Sequence, residues 1–266
     1  LYVIYTIRST ADLLLIPVGL TFLDPSLDVQ PQASGAEMLS YDYQDTRFAG
    51  QLRIERKPSR ISATTLSFAR LDPEILHTHL EAVVNIDGGG LRALRVELPE
   101  ATGEDLRFRL LNNNLRIVEQ HPAAEVADGR RAWTLRFDQR HRGNLWLSVD
   151  LEMPRGDAES FAVPDLRVLV AERQSGFTAI EGSGEQQLTL TAVDAADAPL
   201  AEMAPEDLPL PIDYRPEERI VAAYHHVRPG EQITMSETRF DRLPVPTAIC
   251  DQLVLESVLG ETGHLQ

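Results

Sequence analysis

The chain has 266 residues, of which 43% are hydrophobic and 25% are charged, proportions typical of a globular protein and unlike those of a disordered one. Its 41 acidic and 25 basic residues give a formal charge of −16, which disfavours binding to nucleic-acid phosphates and to anionic lipid. The single cysteine, Cys250, excludes an internal disulfide and a cysteine metal cage. The most apolar stretch, 1–20, contains Arg8 and Asp12, so no membrane-spanning segment is predicted in this region.

Apolar and polar residues alternate along most of the chain, which is typical of β-strands with one buried face. In chain order the clearest examples are 94–98, 106–110, 133–137 and 145–151. Turn-forming residues separate these runs, at 87–90, 112–114, 128–129, 142–143 and 154–156, and we interpret 87–90 as a hairpin turn. Helical periodicity is nearly absent. The sequence therefore predicts an all-β fold of tandem antiparallel β-sandwich (immunoglobulin-like) domains, with smaller β units between them.

An internal duplication organises the chain. The run 1–10 aligns with 166–175, and 20–24 aligns with 190–194. Leu39, Tyr43, Arg47, Gln51, Leu52 and Ile54 align in order with Ile220, Tyr224, Arg228, Gln232, Ile233 and Met235. Because the blocks keep their order and their apolar alternation, we interpret them as two copies of one large module.

The duplication predicts four segments. Residues 1–40 form a small β unit at the end of a preceding module, and 41–165 form a complete β-sandwich. Residues 166–217 repeat the small β unit and end in a linker rich in Pro and Glu, and 218–266 begin a second, truncated sandwich. Since both ends of the sequence lie in strand-like runs, we expect the chain to be a segment of a longer polypeptide.

The sharpest cluster of possible metal ligands is His77, His79 and Glu81. On a strand these three side chains share one face, and two imidazoles with a carboxylate suit zinc or another transition metal. The opposite face carries the apolar residues, so we expect the three side chains to be solvated. The corresponding positions of the second copy are Cys250, Gln252 and Val254, which cannot form the same site. The sequence thus predicts no metal and no cofactor.

Two further possibilities have less support in the sequence. Calcium binds oxygen ligands, but the carboxylates at 194–197 and 202–207 lack a calcium-loop pattern, and we interpret them as solvated. No nucleophile motif is present at 182–184 and no phosphate loop at 87–90, so no catalytic residue is predicted. Trp146 falls on the polar face of its strand, where it either stacks on a sugar or partner, or is covered by a neighbouring element.

Four stretches carry a resemblance to known proteins: Tyr41–Tyr43, Leu52–Arg56, Ile61–Phe68 and Leu94–Pro99. Together they resemble the tandem β-sandwich modules of very large uncharacterised bacterial proteins of the cell-envelope type. This resemblance implies a structural or adhesive role at the cell envelope or outside the cell. The strand pattern ending in Leu-Pro is also similar to the amino-terminal sandwich of zinc aminopeptidases, although the zinc-binding helix of those enzymes is absent from this sequence.

These observations favour one hypothesis and leave one alternative open. The first is a non-catalytic structural, adhesive or scaffold segment of a larger repeat protein, with neighbouring modules of the same chain as its partners. The alternative is a carbohydrate- or protein-binding accessory region of a larger multidomain enzyme, whose partner is a glycan or another protein. An exposed aromatic strip around Trp146 would favour the alternative, whereas a covered Trp146 would favour the first.

Overall fold

The computed structural model of the protein describes residues 3–10, 12–26, 38–43, 45–111, 114–156, 158–184, 186–239 and 254. Of these residues 67% lie in strands and none lies in an α-helix, which confirms the predicted all-β class. Two 3₁₀ turns occur, at Glu100–Thr102 and Pro205–Asp207. In this part of the chain no helix has the length and apolarity needed to cross a membrane. Cys250 lies outside the described residues.

The amino-terminal residues form two small antiparallel sheets. Their strands are β1 (Val3–Arg8), β2 (Leu13–Thr21), β3 (Leu23–Pro25), β4 (Met38–Tyr43) and β5 (Ala49–Arg56). Strand β4 lies between β1 and β3, while β2 pairs with β5. We call residues 3–56 the first unit.

The middle of the chain is dominated by two strands of 25 residues each. Its strands are β6 (Ser59–Leu71), β7 (Ile75–Pro99), β8 (Arg109–Leu110), β9 (Ile117–Ala127), β10 (Arg130–Pro154), β11 (Ser160–Ala162) and β12 (Arg167–Val168). The long strands β7 and β10 form an antiparallel ribbon whose register shifts between Arg136 and Gly143. On one side of the shift the ribbon pairs with β6 and β8, and on the other side with β9 and β12.

The last described strands repeat the pairings of the first unit. They are β13 (Arg173–Gly182), β14 (Gln186–Val193), β15 (Ala201–Glu202), β16 (Arg219–His226) and β17 (Gln232–Arg239). Strand β16 lies between β13 and β15, and β14 pairs with β17. We call residues 173–239 the second unit. The order and pairing of β13 to β17 thus match those of β1 to β5.

One large sheet joins the middle of the chain to the second unit. Its strand order is β15-β16-β13-β6-β7-β10-β8, with β12 on β7 and β9 on β10. The prediction of antiparallel pairing throughout is wrong at one place, because β6 and β13 run parallel. The two strands are far apart in sequence, so no hairpin fixes their relative direction.

The four predicted segments stay a prediction. The large sheet takes strands from three of them, since β6, β7 and β10 belong to 41–165, β13 to 166–217 and β16 to 218–266. Most of the last segment, 240–253 and 255–266, lies outside the described residues.

Apolar side chains gather in two main cores. The first core takes Leu80 and Val84 from one half of the ribbon and Leu94, Val96 and Trp133 from the other half. The second core joins the end of the β6–β7 hairpin to the second unit: its buried members are Ala69, Leu71, Leu76, Phe161, Ile180, Ala222, Ile233 and Met235. In the first unit, by contrast, the only buried apolar side chains among those described are Leu15 and Tyr41.

Of the turns predicted at glycines, one is confirmed and another is wrong. The turn at Asp128–Gly129 is confirmed, and both residues have positive φ, as a two-residue hairpin of type I′ requires. The hairpin turn predicted at 87–90 is wrong, because β7 continues through these residues without reversing direction. Glycines are needed there for close approach: a Cβ on Gly88 would lie 2.2 Å from the Pro58 carbonyl oxygen.

Candidate functional site

The three predicted metal-ligand candidates lie on β7, but only two of them are buried. His79 and Glu81 are 3% and 4% exposed, whereas His77 is half-buried. The expectation that all three are solvated is therefore wrong for His79 and Glu81. Their face of the sheet is covered by residues 203–218, the stretch rich in Pro and Glu, which we call the strap.

His79 is held between two carboxylates. Its Nδ1 lies 2.5 Å from Oδ1 of Asp150 on the neighbouring strand β10, and its Nε2 lies 3.2 Å from Oε1 of Glu81. Only a doubly protonated imidazole can donate from both nitrogens at once. Burial opposes that charge, but the hydrogen bonds to Glu81 and Asp150 outweigh it and raise the pKa of His79. We call His79, Glu81 and Asp150 the histidine cluster.

Glu81 fastens the strap through the backbone. Its carboxylate accepts hydrogen bonds from the N–H of Ile212, at 2.9 Å, and of Asp213, at 2.7 Å. Burial disfavours the carboxylate charge, yet the hydrogen bonds from His79 and from the two strap amides hold the pKa of Glu81 below its usual value. The buried, ionised carboxylate of Glu81 is therefore stabilised by the hydrogen bonds from His79 and from the two strap amides.

A second buried carboxylate, Glu181 on β13, fastens the other end of the strap. It is fully buried and accepts hydrogen bonds from the hydroxyl of Tyr214 at 2.6 Å and from the N–H groups of Glu217 and Glu218 at 2.9 and 3.0 Å. The buried setting of Tyr214 and its bond to Glu181 raise the pKa of the phenol. The strap thus crosses the sheet between two glutamates that lie on different strands.

Tyr214 connects the two anchor points. Its ring stacks on His79 with centroids 4.6 Å apart and packs on Phe68 of β6 at 4.8 Å. Ion pairs at the rim add to these contacts: Arg109 with Asp213 at 3.0 Å, and Arg70 with Glu217 at 2.5 Å. Because these rim pairs are partly exposed, we assign the main hold on the strap to the buried glutamates.

His77 does not join the histidine cluster. Its nearest acidic partners are Asp72 at 3.3 Å and Glu152 at 3.9 Å. Both nitrogens of His79 are already directed at carboxylates, which leaves neither of them available for a metal shared with His77. Across the described ranges, no group of three or more His, Cys, Asp or Glu side chains is arranged to hold a metal ion. The calcium candidate Asp194 accepts hydrogen bonds from the amides of Ala196 and Ala198, as in a local turn.

Trp146 lies on the same face of the sheet as the histidine cluster and is half-buried. Its carbonyl oxygen accepts a hydrogen bond from Leu111 at 2.9 Å. Among the described residues, the exposed Phe and Trp side chains are Phe22 and Phe48, both in the first unit. The structure therefore places no exposed aromatic strip around Trp146.

Three members of this site were missed in the sequence analysis. Asp150 lies in β10 on the polar side of an alternating run, and Glu181 lies near the end of β13, between Ile180 and Gly182. The only usable signal was Tyr214, which is the single aromatic residue in the strap sequence. Contacts between Glu181 and residues 214–218 depend on how the strap crosses the sheet, and no local pattern encodes that path.

Comparison with known proteins gives little. No family model and no curated protein matches the chain. One matching solved structure is a mutant of a two-domain M1 zinc metallopeptidase bound to L-tryptophan, at 6% sequence identity and a TM-score of 0.30. The match covers 67% of this chain and 42% of that one, so the chain spans less than half of its length. At this TM-score the likeness carries no argument about fold or activity.

Proposed function

We propose that this chain is a non-catalytic structural segment of a larger repeat protein, serving as scaffold, spacer or adhesive stalk. The observation that carries the proposal is the recurrence in the second unit of the three strand pairings that join the five strands of the first unit. A recurring unit that shares a sheet with the segment before it is typical of proteins in which modules are connected in a row. Hydrogen bonds between β6 and β13 make that connection stiffer than a flexible linker.

The segment between the two units is a β-sandwich in this proposal. Both halves of the β7–β10 ribbon send side chains into the first core, as expected where a sheet bends and its two halves pack face to face. The register shifts and the glycines near residues 88–90 and 143 lie at the place where such a bend is required.

The polar chemistry of the site supports a structural role. His79, Glu81 and Glu181 are the most buried charged groups on the strap side of the sheet, and each has its hydrogen-bonding capacity used by partners within the chain. A general base or nucleophile must reach a substrate atom, and His79 has 2% of its side chain exposed. We therefore assign the histidine cluster to fixing the strap.

We propose the cell envelope or the extracellular space as the location of the protein, following the resemblance to bacterial envelope proteins. Protease treatment of intact source cells, with mass spectrometry of released and retained peptides, tests this. Peptides from this chain should be released from unbroken cells together with peptides from flanking repeats, while a cytoplasmic marker protein stays intact. Protection of this chain until the cells are lysed would contradict an exposed location.

The alternative, a carbohydrate-binding accessory region, depends on Trp146. Trp146 lies opposite Val83 of β7 and is half-buried, so only part of its side chain faces solvent for stacking. On a glycan array, the intact chain should bind no glycan that the Trp146→Ala variant fails to bind. A glycan that binds the chain and is lost in the variant would favour the alternative.

A further inference from the structure

The first unit contains an apolar groove between its two sheets. The groove has a volume of about 400 Å³ and is lined by Ile7, Leu20, Leu23, Tyr41, Phe48, Gly50 and Leu52. Further large apolar side chains are exposed next to lining residues in the sequence: Phe22 at 53%, before Leu23, and Ile54 at 61%, two residues after Leu52 on β5. Single exposed apolar residues are ordinary, but a groove with several of them in a small unit indicates a surface that another element covers.

The second unit shows what covers the equivalent surface. In the sequence alignment of the two units, Leu52 corresponds to Ile233 and Ile54 to Met235. Ile233 and Met235 are 3% and 1% exposed, and both belong to the second core. That core is completed by Leu71, Leu76 and Phe161, which belong to the segment preceding the second unit.

The backbone edges of the two units differ in the same way. Strand β13 has β16 on one side and β6, running parallel, on the other. Strand β17 has β14 on one side and β11 on the other, with Phe161 directly opposite Met235. The equivalent strands β1 and β5 each pair on one side only, among the residues that the structure describes.

We propose that the groove of the first unit is the docking surface for another module of the 57–165 type. A strand equivalent to β6 adds in parallel to β1, a strand equivalent to β11 adds antiparallel to β5, and apolar side chains equivalent to Leu71, Leu76 and Phe161 fill the groove. This inference rests on the proposed function, because it takes the docked partner to be another copy of the repeating module.

The charge at the edge of the groove specifies the partner further. In the second unit the guanidinium of Arg155 is paired with Glu237 and lies over the ring of Phe161. The alignment places Arg56 at the position of Glu237, so the sign of the charge is reversed in the first unit. The module that docks on the first unit therefore carries an acidic or neutral residue where this chain has Arg155.

The test is a fusion in which a second copy of residues 57–177 is placed directly before Val3 of the chain. This junction keeps the register of the second unit, because Val3 lies opposite Tyr43 as Thr178 lies opposite Tyr224, and Tyr43 corresponds to Tyr224 in the alignment. The added copy carries Arg155→Glu, to match Arg56. Hydrogen–deuterium exchange is measured on the peptides of β1 and β5 in the fusion and in the unfused chain.

Docking predicts that amide exchange in β1 and β5 slows at least about tenfold in the fusion, since edge amides that pair with no other described strand become paired and covered. Ile54→Asp should abolish this protection, whereas Val118→Asp, at a site of equal exposure on β9, should leave it unchanged. An added copy with the original Arg155 should give weaker protection than the Arg155→Glu copy.

Two results would overturn the proposal: unchanged exchange in β1 and β5 beside a folded added copy, or an added copy that stays unfolded. The second result counts because residues 3–56 would then fail to complete the large sheet as residues 173–239 do. An added copy could also stay unfolded because its Glu81 lacks the strap amides that stabilise this buried charge in the intact chain. A second fusion therefore carries Glu81→Gln in the added copy, which removes that charge. Cell-surface proteolysis is independent of this outcome, so the docking and the proposed function can fail separately.

Discussion

The first and second units have five strands each, joined by the same three pairings, but they differ in what their strands bury. Met235 on β17 is 1% exposed, and its counterpart Ile54 on β5 is 61% exposed. Alternation of apolar and polar residues is a local property, so both copies form strands alike. Burial depends on the neighbouring segment, which supplies Leu71, Leu76 and Phe161 to the second unit. Equal strand pairing therefore does not imply equal burial.

The largest expected effect comes from placing a charge at the two equivalent positions. Met235→Asp should lower the free energy of unfolding by about 4 kcal/mol, because it buries an unpaired carboxylate in the second core. Ile54→Asp should change it by no more than about 0.5 kcal/mol, since the side chain is already in water. Urea unfolding followed by circular dichroism compares the two variants, and equal losses would show that the units are buried alike.

The strap of the second unit is fastened by that unit's own Glu181. Glu181→Ala should cost about 3 kcal/mol, as it leaves the Tyr214 hydroxyl and two buried backbone amides without an acceptor. Hydrogen exchange at 214–218 should become faster in the same variant. Glu172→Ala, which removes an exposed carboxylate paired with Arg60, serves as the control and should cost no more than about 0.5 kcal/mol. Unchanged exchange in the strap would mean that Glu181 does not fasten it.

A smaller effect tests how closely β13 approaches its neighbours. A Cβ on Gly176 would lie 2.1 Å from Oγ1 of Thr65 and 2.5 Å from Nε2 of His226. Gly176→Ala should therefore cost about 2 kcal/mol through overpacking. Gly184 has no atom within 4 Å of the corresponding position, so Gly184→Ala should be neutral. Thermal unfolding of the two variants decides the matter, and similar melting temperatures would show that the β6–β13 contact is looser than the structure gives.

The all-β class could be predicted from the sequence, because it follows from alternation along single strands. The strand pairings of the two units could not, and the alignment of 1–10 with 166–175 differs by ten residues from the register, in which Val3 lies opposite Tyr43 and Thr178 opposite Tyr224. The Asp128–Gly129 turn was predictable, since its residues tolerate positive φ. The burial of His79 and Glu81 could not be predicted. Alternation assigns them to the polar face of β7, and only the distant strap removes that face from water.

The parallel pairing of β6 and β13 was also beyond the sequence analysis. Antiparallel hairpins leave short turn signals, whereas strands separated by about a hundred residues leave none. Trp146 is an intermediate case: the alternation placed it correctly on the polar face, with His79 and Glu81, but did not predict that its side chain is half-buried there. Alternation along a strand therefore does not predict which distant segment covers the polar face of that strand.

The smallest expected effect is a pH dependence of the free energy of unfolding, caused by the histidine cluster beneath the strap. The pKa of His79 is raised in the folded chain, so its contribution to stability is complete below about 6.5 and is lost as the pH rises through the folded pKa. The pKa of Glu81 is lowered, so its contribution is present above about 4.5 and is lost as the pH falls. The other charged or titratable groups next to His79 are Asp150, which pairs with Arg109, and Tyr214.

Above neutral pH the free energy of unfolding should therefore decline with a slope no steeper than about 1.4 kcal/mol per pH unit, the limit for one proton. His79→Asn should be less stable at pH 6 and should lack the part of the decline that His79 causes. His77→Asn should retain the full decline, because His77 lies outside the cluster. The buried pair His226–Glu231 also titrates in this range, since burial raises the pKa of Glu231 to about 7, and the difference between the two variants removes its contribution. A decline that persists unchanged in His79→Asn would assign the pH dependence to that pair instead of to the cluster beneath the strap.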